Sequence, residues 1–150
     1  MNTRTSTASA RWLKDTVTGS GTISTGSGAL LDTPLTWPSR IGNEEGGTPE
    51  EMLAAAHAGC FAMALSFALS SDGHMPTQLD VSAACEFEFT GTGASVTTMH
   101  LSVDGQVPGI DQERFAELAA SAKQGCPVSR VYEGNIEITL EARLVSLAAS

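Results

Sequence analysis

The run from Met52 to Leu69 constrains this chain most. It is apolar and rich in alanine, interrupted only by His57, Ser66 and the small residues around Gly59 and Cys60. Directly before it stands Thr48-Pro49-Glu50-Glu51. That tetrad is a helix start. Thr48 serves as N-cap, Pro49 takes the first helical position, where no N–H is needed, and Glu51 closes a capping box. Both acids also favour the positive end of the helix dipole. The pattern predicts a helix from Pro49 to about Ser70 or Ser71, stopping before Asp72-Gly73. Its length would suit a membrane span. Alanine is only weakly lipophilic, however, and two carboxylates sit at its mouth, so a core helix is the expectation. Apolar on nearly every face, it should be wrapped on all sides, by the fold or by a dimer partner.

The remaining chain reads as strands, turns and one further long helix. Residues 10–31 hold short β-branched segments between glycines, such as Gly21-Thr22-Ile23-Ser24-Thr25. Residues 32–48, with Pro34, Pro38, Asn43, Gly46 and Gly47, read as a loop carrying Trp37 and Arg40. From Val81 to Phe89 apolar and polar residues alternate, placing Val81, Ala83, Cys85, Phe87 and Phe89 on one face of a strand. In residues 95–107 the buried face should hold Met99, Leu101 and Val103. Asp111 can cap a helix through Phe115, Leu118, Ala119 and Ala122 that ends at Gly125. Residues 135–144 read as a last strand with Ile136, Ile138 and Leu140 inward. No internal repeat or linker divides residues 1–150, so one domain is expected, with residues 1–9 as a frayed polar arm without a secretory signal's apolar stretch.

Charge and cysteine content exclude several functions. The 150 residues carry 17 acidic and 8 basic side chains, a formal net charge of -9. With Lys14 and Lys123 the only lysines, the chain suits neither a phosphate backbone nor an anionic membrane surface. Three cysteines are too few for a disulfide scaffold and point to a cytoplasmic protein.

Those cysteines are the candidates for chemistry. Cys85 falls in the inward register of a strand, between Ala83 and Phe87, and reads as a core bystander. Cys60 lies inside the long helix, where a free cysteine is usually a small core hydrophobe. Cys126 precedes Pro127 at a helix break. If Pro127 starts a new helical turn, Cys126 is its N-cap, a place where the dipole lowers a thiol pKa. His57 shares a face with Cys60 one turn away and reads as a packed or hydrogen-bonded core histidine. With Cys126 these residues supply only three soft metal ligands, so neither a metal nor another cofactor is expected.

Three stretches together resemble the OsmC/Ohr family of thiol-dependent peroxidases. They are Thr48-Pro49-Glu50-Glu51-Met52 through His57-Ala58-Gly59-Cys60-Phe61 to Leu65, Val107-Pro108-Gly109-Ile110-Asp111, and Ala122-Lys123-Gln124-Gly125-Cys126-Pro127-Val128-Ser129. Gly21 to Gly28 is similar as well, so the likeness spans roughly residues 10–145. It implies an α+β, OsmC-like fold: antiparallel sheets packed around a long central helix that carries the first active cysteine, in an intertwined homodimer. It also implies reduction of organic hydroperoxides, and of hydrogen peroxide less well, as an oxidative-stress defence. Cys60 matches the thiol that becomes a sulfenic acid. Cys126 matches the thiol that closes a disulfide, later reopened by an external thiol such as a lipoylated protein or small dithiol. Glu50 matches the family's glutamate. Arg40 in Pro38-Ser39-Arg40 matches the arginine of the OsmC branch, whereas the Ohr branch draws its arginine from nearer the N-terminus.

Elementary chemistry agrees with these roles. Burial would raise the Cys60 pKa, and a guanidinium is the permanent cation that could offset this. Glu50 could fix that guanidinium by a bidentate pair. Ten residues of helix rise about 15 Å, so Glu50 and Cys60 of one continuous helix cannot share a small site. Two antiparallel copies in a two-fold dimer would bring Glu50 of one chain near Cys60 of the other. Two other readings use the same residues: a non-catalytic thiol redox sensor or binding protein with the same cysteine pair, and a zinc-binding structural domain. Trp37, Phe61 and Phe67 are the first candidates for a lipophilic pocket.

Overall fold

The computed structural model describes residues 1–146, and they divide into two compact units, Met1–Pro49 and the chain from Glu50 onward. The first unit is a three-stranded antiparallel sheet. Its strands are β1 (Ala8–Leu13), β2 (Ser20–Thr25) and β3 (Thr33–Thr36), in that spatial order. Residues 1–7 precede the first strand. Trp12 pairs with Gly21 across β1 and β2, and a Cβ at Gly21 would lie 2.5 Å from the indole. Only glycine leaves room for that ring.

Part of the expected loop at 32–48 is ordered differently. Thr33–Thr36 pairs with β2 along the sheet edge, where Pro34 removes no ladder donor that the sheet requires. Trp37–Arg40 then forms a helical turn, α1. The Thr36 side chain accepts from Ser39 N at 3.1 Å, and the Ser39 hydroxyl accepts from Thr36 N at 3.4 Å. Both prolines were turn signals, yet one sits on a sheet edge and the other in a first helical turn, the two places that tolerate proline.

The long helix α2 (Pro49–Ser71) opens the second unit without a break. It closes as its pattern predicts: Gly73 takes a positive φ of 85°, and His74 N donates to Leu69 O at 2.9 Å. Only one stripe of α2 is buried, through His57, Phe61, Leu65 and Leu69, with Glu50 buried in its first turn. The i, i+4 spacing puts that stripe on a single face. On the opposite side Met63 is 76% exposed and Phe67 75% exposed. The expectation of a helix wrapped on all sides is therefore not met within one chain. By length and composition alone α2 could cross a membrane.

Strands β4 (Gln78–Thr90) and β5 (Gly93–Gln106) form a long antiparallel hairpin. The alternation in β4 turns Leu79, Val81, Ala83, Cys85 and Phe87 away from solvent, whereas Phe89 is exposed beyond the bulge at Glu86/Phe87. Met99, Leu101 and Val103 of β5 are buried as the pattern predicts. Asp111 caps α3 (Gln112–Gly125) by accepting from Arg114 N at 2.8 Å. After α3 come the short helix α4 (Pro127–Tyr132) and the last strand, β6 (Glu137–Leu144).

β6 joins β5 in parallel, so this second sheet is mixed. A hairpin cannot make that connection, and α3 with α4 supplies the crossover that it needs. The expected antiparallel pairing holds for β1–β2–β3 and for β4–β5. Phe115 of α3 lies against the sheet at Gly105, where a Cβ would stand 2.4 Å from the ring. Phe61, Leu65 and Leu69 of α2 share one core with Leu101, Val103, Phe115, Leu118, Ala119, Ala122 and Cys126. Each large side chain buried there contributes roughly 1.5–3 kcal/mol. At the rim, Asp72 after α2 pairs with Arg114 of α3 through two hydrogen bonds, from Nε at 3.1 Å and from Nη2.

Candidate active site

Cys60 projects from the middle of α2 and is half-buried, while Cys126 is fully buried between α3 and α4. The two thiols lie close enough that Cys126 acts directly on the ionisation of Cys60. The chain thus brings together two cysteines that are 66 residues apart in sequence.

Cys126 is held at a helix junction. It is the C-cap of α3 and also the N-cap of α4, with an extended backbone (φ -65°, ψ 121°). Its N–H donates to Ala122 O at 2.8 Å, and its carbonyl accepts from Arg130 N at 3.1 Å. Pro127 follows as first helical residue, as the sequence pattern predicts. The Cys126 side chain makes no capping bond to α4. The backbone N–H of Val128, at the second position of α4, acts instead on Cys60, whose pKa it draws down.

Three influences act on the Cys60 thiol within its own unit. Burial is the largest and pushes its pKa up, the Val128 N–H draws it down, and the Cys126 thiol pushes it up again. The first effect is the one expected of a cysteine inside an apolar helix, because desolvation disfavours the thiolate. A hydrogen bond to the sulfur favours the thiolate but does not outweigh burial here.

A second pair lies one turn from each cysteine. His57 Nε2 is 2.7 Å from Ser129 Oγ, and both side chains are buried. The His57 ring meets the Tyr132 ring edge-on, with centroids 5.3 Å apart at 66°. Burial holds the His57 pKa below the ordinary imidazole value, so the ring is neutral at pH 7. His57 is a hydrogen-bonded core histidine, as its place in the sequence suggested. Ser129 and Tyr132 were not singled out from sequence. A usable signal was present: Ser129 stands three residues after Cys126, as His57 stands three before Cys60.

Glu50 is buried in the first turn of α2, and its carboxylate helps burial to raise the Cys85 pKa. Cys85 is half-buried in β4 and in turn acts, after burial, to raise the Tyr132 phenol. Arg40 closes α1 in the first unit, where it lines a cavity of about 300 Å³ with Trp12, Leu35, Thr36 and Trp37. Of the three aromatics expected around a pocket, Trp37 lines this cavity and Phe61 is core. Phe67 borders an open groove with Ala62, Met63, Pro76 and Leu79. Among the described residues no cluster of three His, Cys, Asp or Glu could hold a metal ion.

Fold and site define an α+β protein with a pair of adjoining cysteines, one on a long helix and one at a helix junction. Comparison with known proteins places it further. The family model for OsmC-like protein matches residues 42–141. Peroxiredoxin OsmC of Escherichia coli (strain K12) is 42% identical over 137 residues, covering 91% of this chain and 94% of that protein. An organic hydroperoxide resistance protein of Xanthomonas axonopodis pv. citri is 29% identical, covering 73% and 78%. Among solved structures, OhrB of Bacillus subtilis superposes with a TM-score of 0.72 at 24% identity, covering 91% of this chain and 98% of that one. An OsmC-like protein of Mycoplasma pneumoniae gives 0.73 at 14% identity, covering 95% and 98%. This chain belongs to the OsmC-like protein family.

Proposed function

We propose that the protein is a cysteine-based peroxidase that reduces organic hydroperoxides, and hydrogen peroxide less well. The contact between the Cys60 and Cys126 thiols carries this reading. The Cys60 thiolate attacks the terminal oxygen of the hydroperoxide and the O–O bond breaks. Cys60 becomes a sulfenic acid, and the alkoxide leaves and is protonated to the alcohol. The Cys126 sulfur then attacks the Cys60 sulfur. An S–S bond forms, the S–O bond breaks, and the oxygen departs as water. Two electrons from an external thiol reopen the disulfide, and closure protects Cys60 from irreversible over-oxidation. A lipoylated protein or small dithiol suits that step.

Arg40 is proposed as the permanent cation that favours the Cys60 thiolate, and Glu50 as the carboxylate that orients it. Burial alone leaves Cys60 a poor nucleophile at neutral pH, so the chemistry calls for such a cation. The chain is read as one functional domain in a cytoplasmic homodimer, which binds neither nucleic acid nor membrane. The unbroken α2 supports the dimer: Glu50 and Cys60 are separated by about 15 Å of rise. So does its outer face, where Met63 and Phe67 border a groove of about 620 Å³.

The test is turnover of cumene hydroperoxide with dithiothreitol. Sustained consumption that Cys60→Ser abolishes supports the peroxidase. A single turnover without reduction by any dithiol would leave a redox switch instead. Wild-type rates in Cys60→Ser would overturn the assignment.

A further inference from the structure

The pair His57 and Ser129 is buried and has no part in the chemistry described above. It nevertheless spans the two elements whose approach that chemistry needs. His57 lies on α2 one turn before Cys60, and Ser129 lies on α4 one turn after the Cys126 junction. We propose that the His57–Ser129 hydrogen bond is a positioning pair that sets the distance and direction between the two sulfurs, and so governs disulfide closure. The inference rests on the dithiol reading above.

Three observations carry it. The bond is 2.7 Å long and shielded from water, so nothing else replaces it at low cost. His57 Nδ1 is buried with no hydrogen-bond partner among the described residues. The imidazole therefore depends on Ser129 for its one polar contact, and the ring's edge is steadied by Tyr132, also on α4. Finally, α4 is short and begins at Cys126 itself, so any rotation of α4 about α2 moves the Cys126 sulfur directly. Disulfide geometry tolerates little of this, because Cβ atoms must approach to roughly 3.5–4.5 Å with a dihedral near a right angle.

Neutral imidazole is what such a strut needs. A charged ring at this depth would demand a carboxylate, and burial holds the ring neutral instead. Neither His57 nor Ser129 exchanges a proton with substrate in this account. Their effect runs through the placement of Cys126.

The experiment measures closure in two independent ways. The first is stopped-flow single turnover with cumene hydroperoxide, following the sulfenic acid by trapping and sulfinic acid by mass spectrometry. The second is the equilibrium of the Cys60–Cys126 disulfide with glutathione, which involves no hydroperoxide. Ser129→Ala and His57→Leu should slow closure by about 10–100-fold and raise sulfinic acid formation, since small misplacements of reacting groups cost on that order. The equilibrium should shift toward the dithiol by a similar factor. His57→Gln, whose amide reaches the position of Nε2, should recover most of both. If closure and the glutathione equilibrium stay within about twofold of wild type in Ser129→Ala, the proposal is overturned. It is equally overturned if His57→Gln fails to recover closure although it folds. Should His57→Leu not fold, Ser129→Ala, which removes a single oxygen, decides alone. A wild-type protein that equilibrates with glutathione but consumes no hydroperoxide would sink the peroxidase reading while leaving the positioning claim measurable.

Discussion

The two cysteine-bearing regions solve different problems. Cys60 sits mid-helix in α2, where backbone groups already satisfy one another and the side chain is half-buried. Such a place is rigid, but its desolvation works against a thiolate. Cys126 sits where α3 ends and α4 begins, in an extended backbone anchored from both sides. That place is fully buried and exposes no reactive sulfur to solvent. The contrast teaches that the first thiol needs electronic help, whereas the second needs only to be near. The Val128 N–H fits this division, since the junction that holds Cys126 draws the Cys60 pKa down.

Breaking that division should give the largest effect first. Cys60→Ser should lower peroxide turnover by on the order of 10³-fold or more, because the alcohol replaces the nucleophile itself. Steady-state assay with dithiothreitol measures it. Cys126→Ser should keep a first stoichiometric turnover but fail to close a disulfide. Intact mass after excess hydroperoxide should then show sulfinic or sulfonic Cys60. Next comes Arg40→Lys, expected to lose about 10–100-fold in turnover, since a lysine keeps the charge without the bidentate fork. The thiolate fraction should shift too: the alkylation rate of Cys60, followed against pH, should reach its plateau at higher pH than in wild type. An unchanged profile would separate Arg40 from the thiol.

A smaller and purely structural effect concerns the rim. Arg114 draws the Asp72 carboxyl below its ordinary value, with His74 helping. A folded pKa below the unfolded one stabilises the fold at pH values above the unfolded pKa, and the gain disappears as pH falls through the folded pKa. Asp72→Asn should therefore lower Tm slightly at pH 7. The difference should vanish below the acidic range in which carboxylates titrate. A constant difference across pH would mean that the pair acts by packing rather than by charge.

Local signals explain what could be read in advance. The Thr48-Pro49-Glu50-Glu51 start, the alternation in β4 and β5, and the Asp111 cap all act within a few residues, and each element lies where its pattern places it. Pro34 and Pro38 misled because proline marks a loop in isolation, while an edge strand and a first helical turn also accept it. The parallel pairing of β6 was hidden, since a strand's pattern says which face is buried and nothing about its neighbour. In α2 the apolar composition could not say that one chain covers only a single stripe. The proximity of the thiols came through the family resemblance. Ser129 and the Val128 N–H came only from the structure, because both act across distant parts of the chain.

The mechanism is decided by which thiols one equivalent of oxidant joins. Reduced protein should be titrated with cumene hydroperoxide and then mapped by peptide mass spectrometry with free thiols blocked. Of the three cysteines, two should disappear per equivalent, in a peptide linking Cys60 to Cys126, with Cys85 still blocked as a free thiol. A linked peptide containing Cys85, or a sulfinic Cys60 with Cys126 still free at one equivalent, would contradict it.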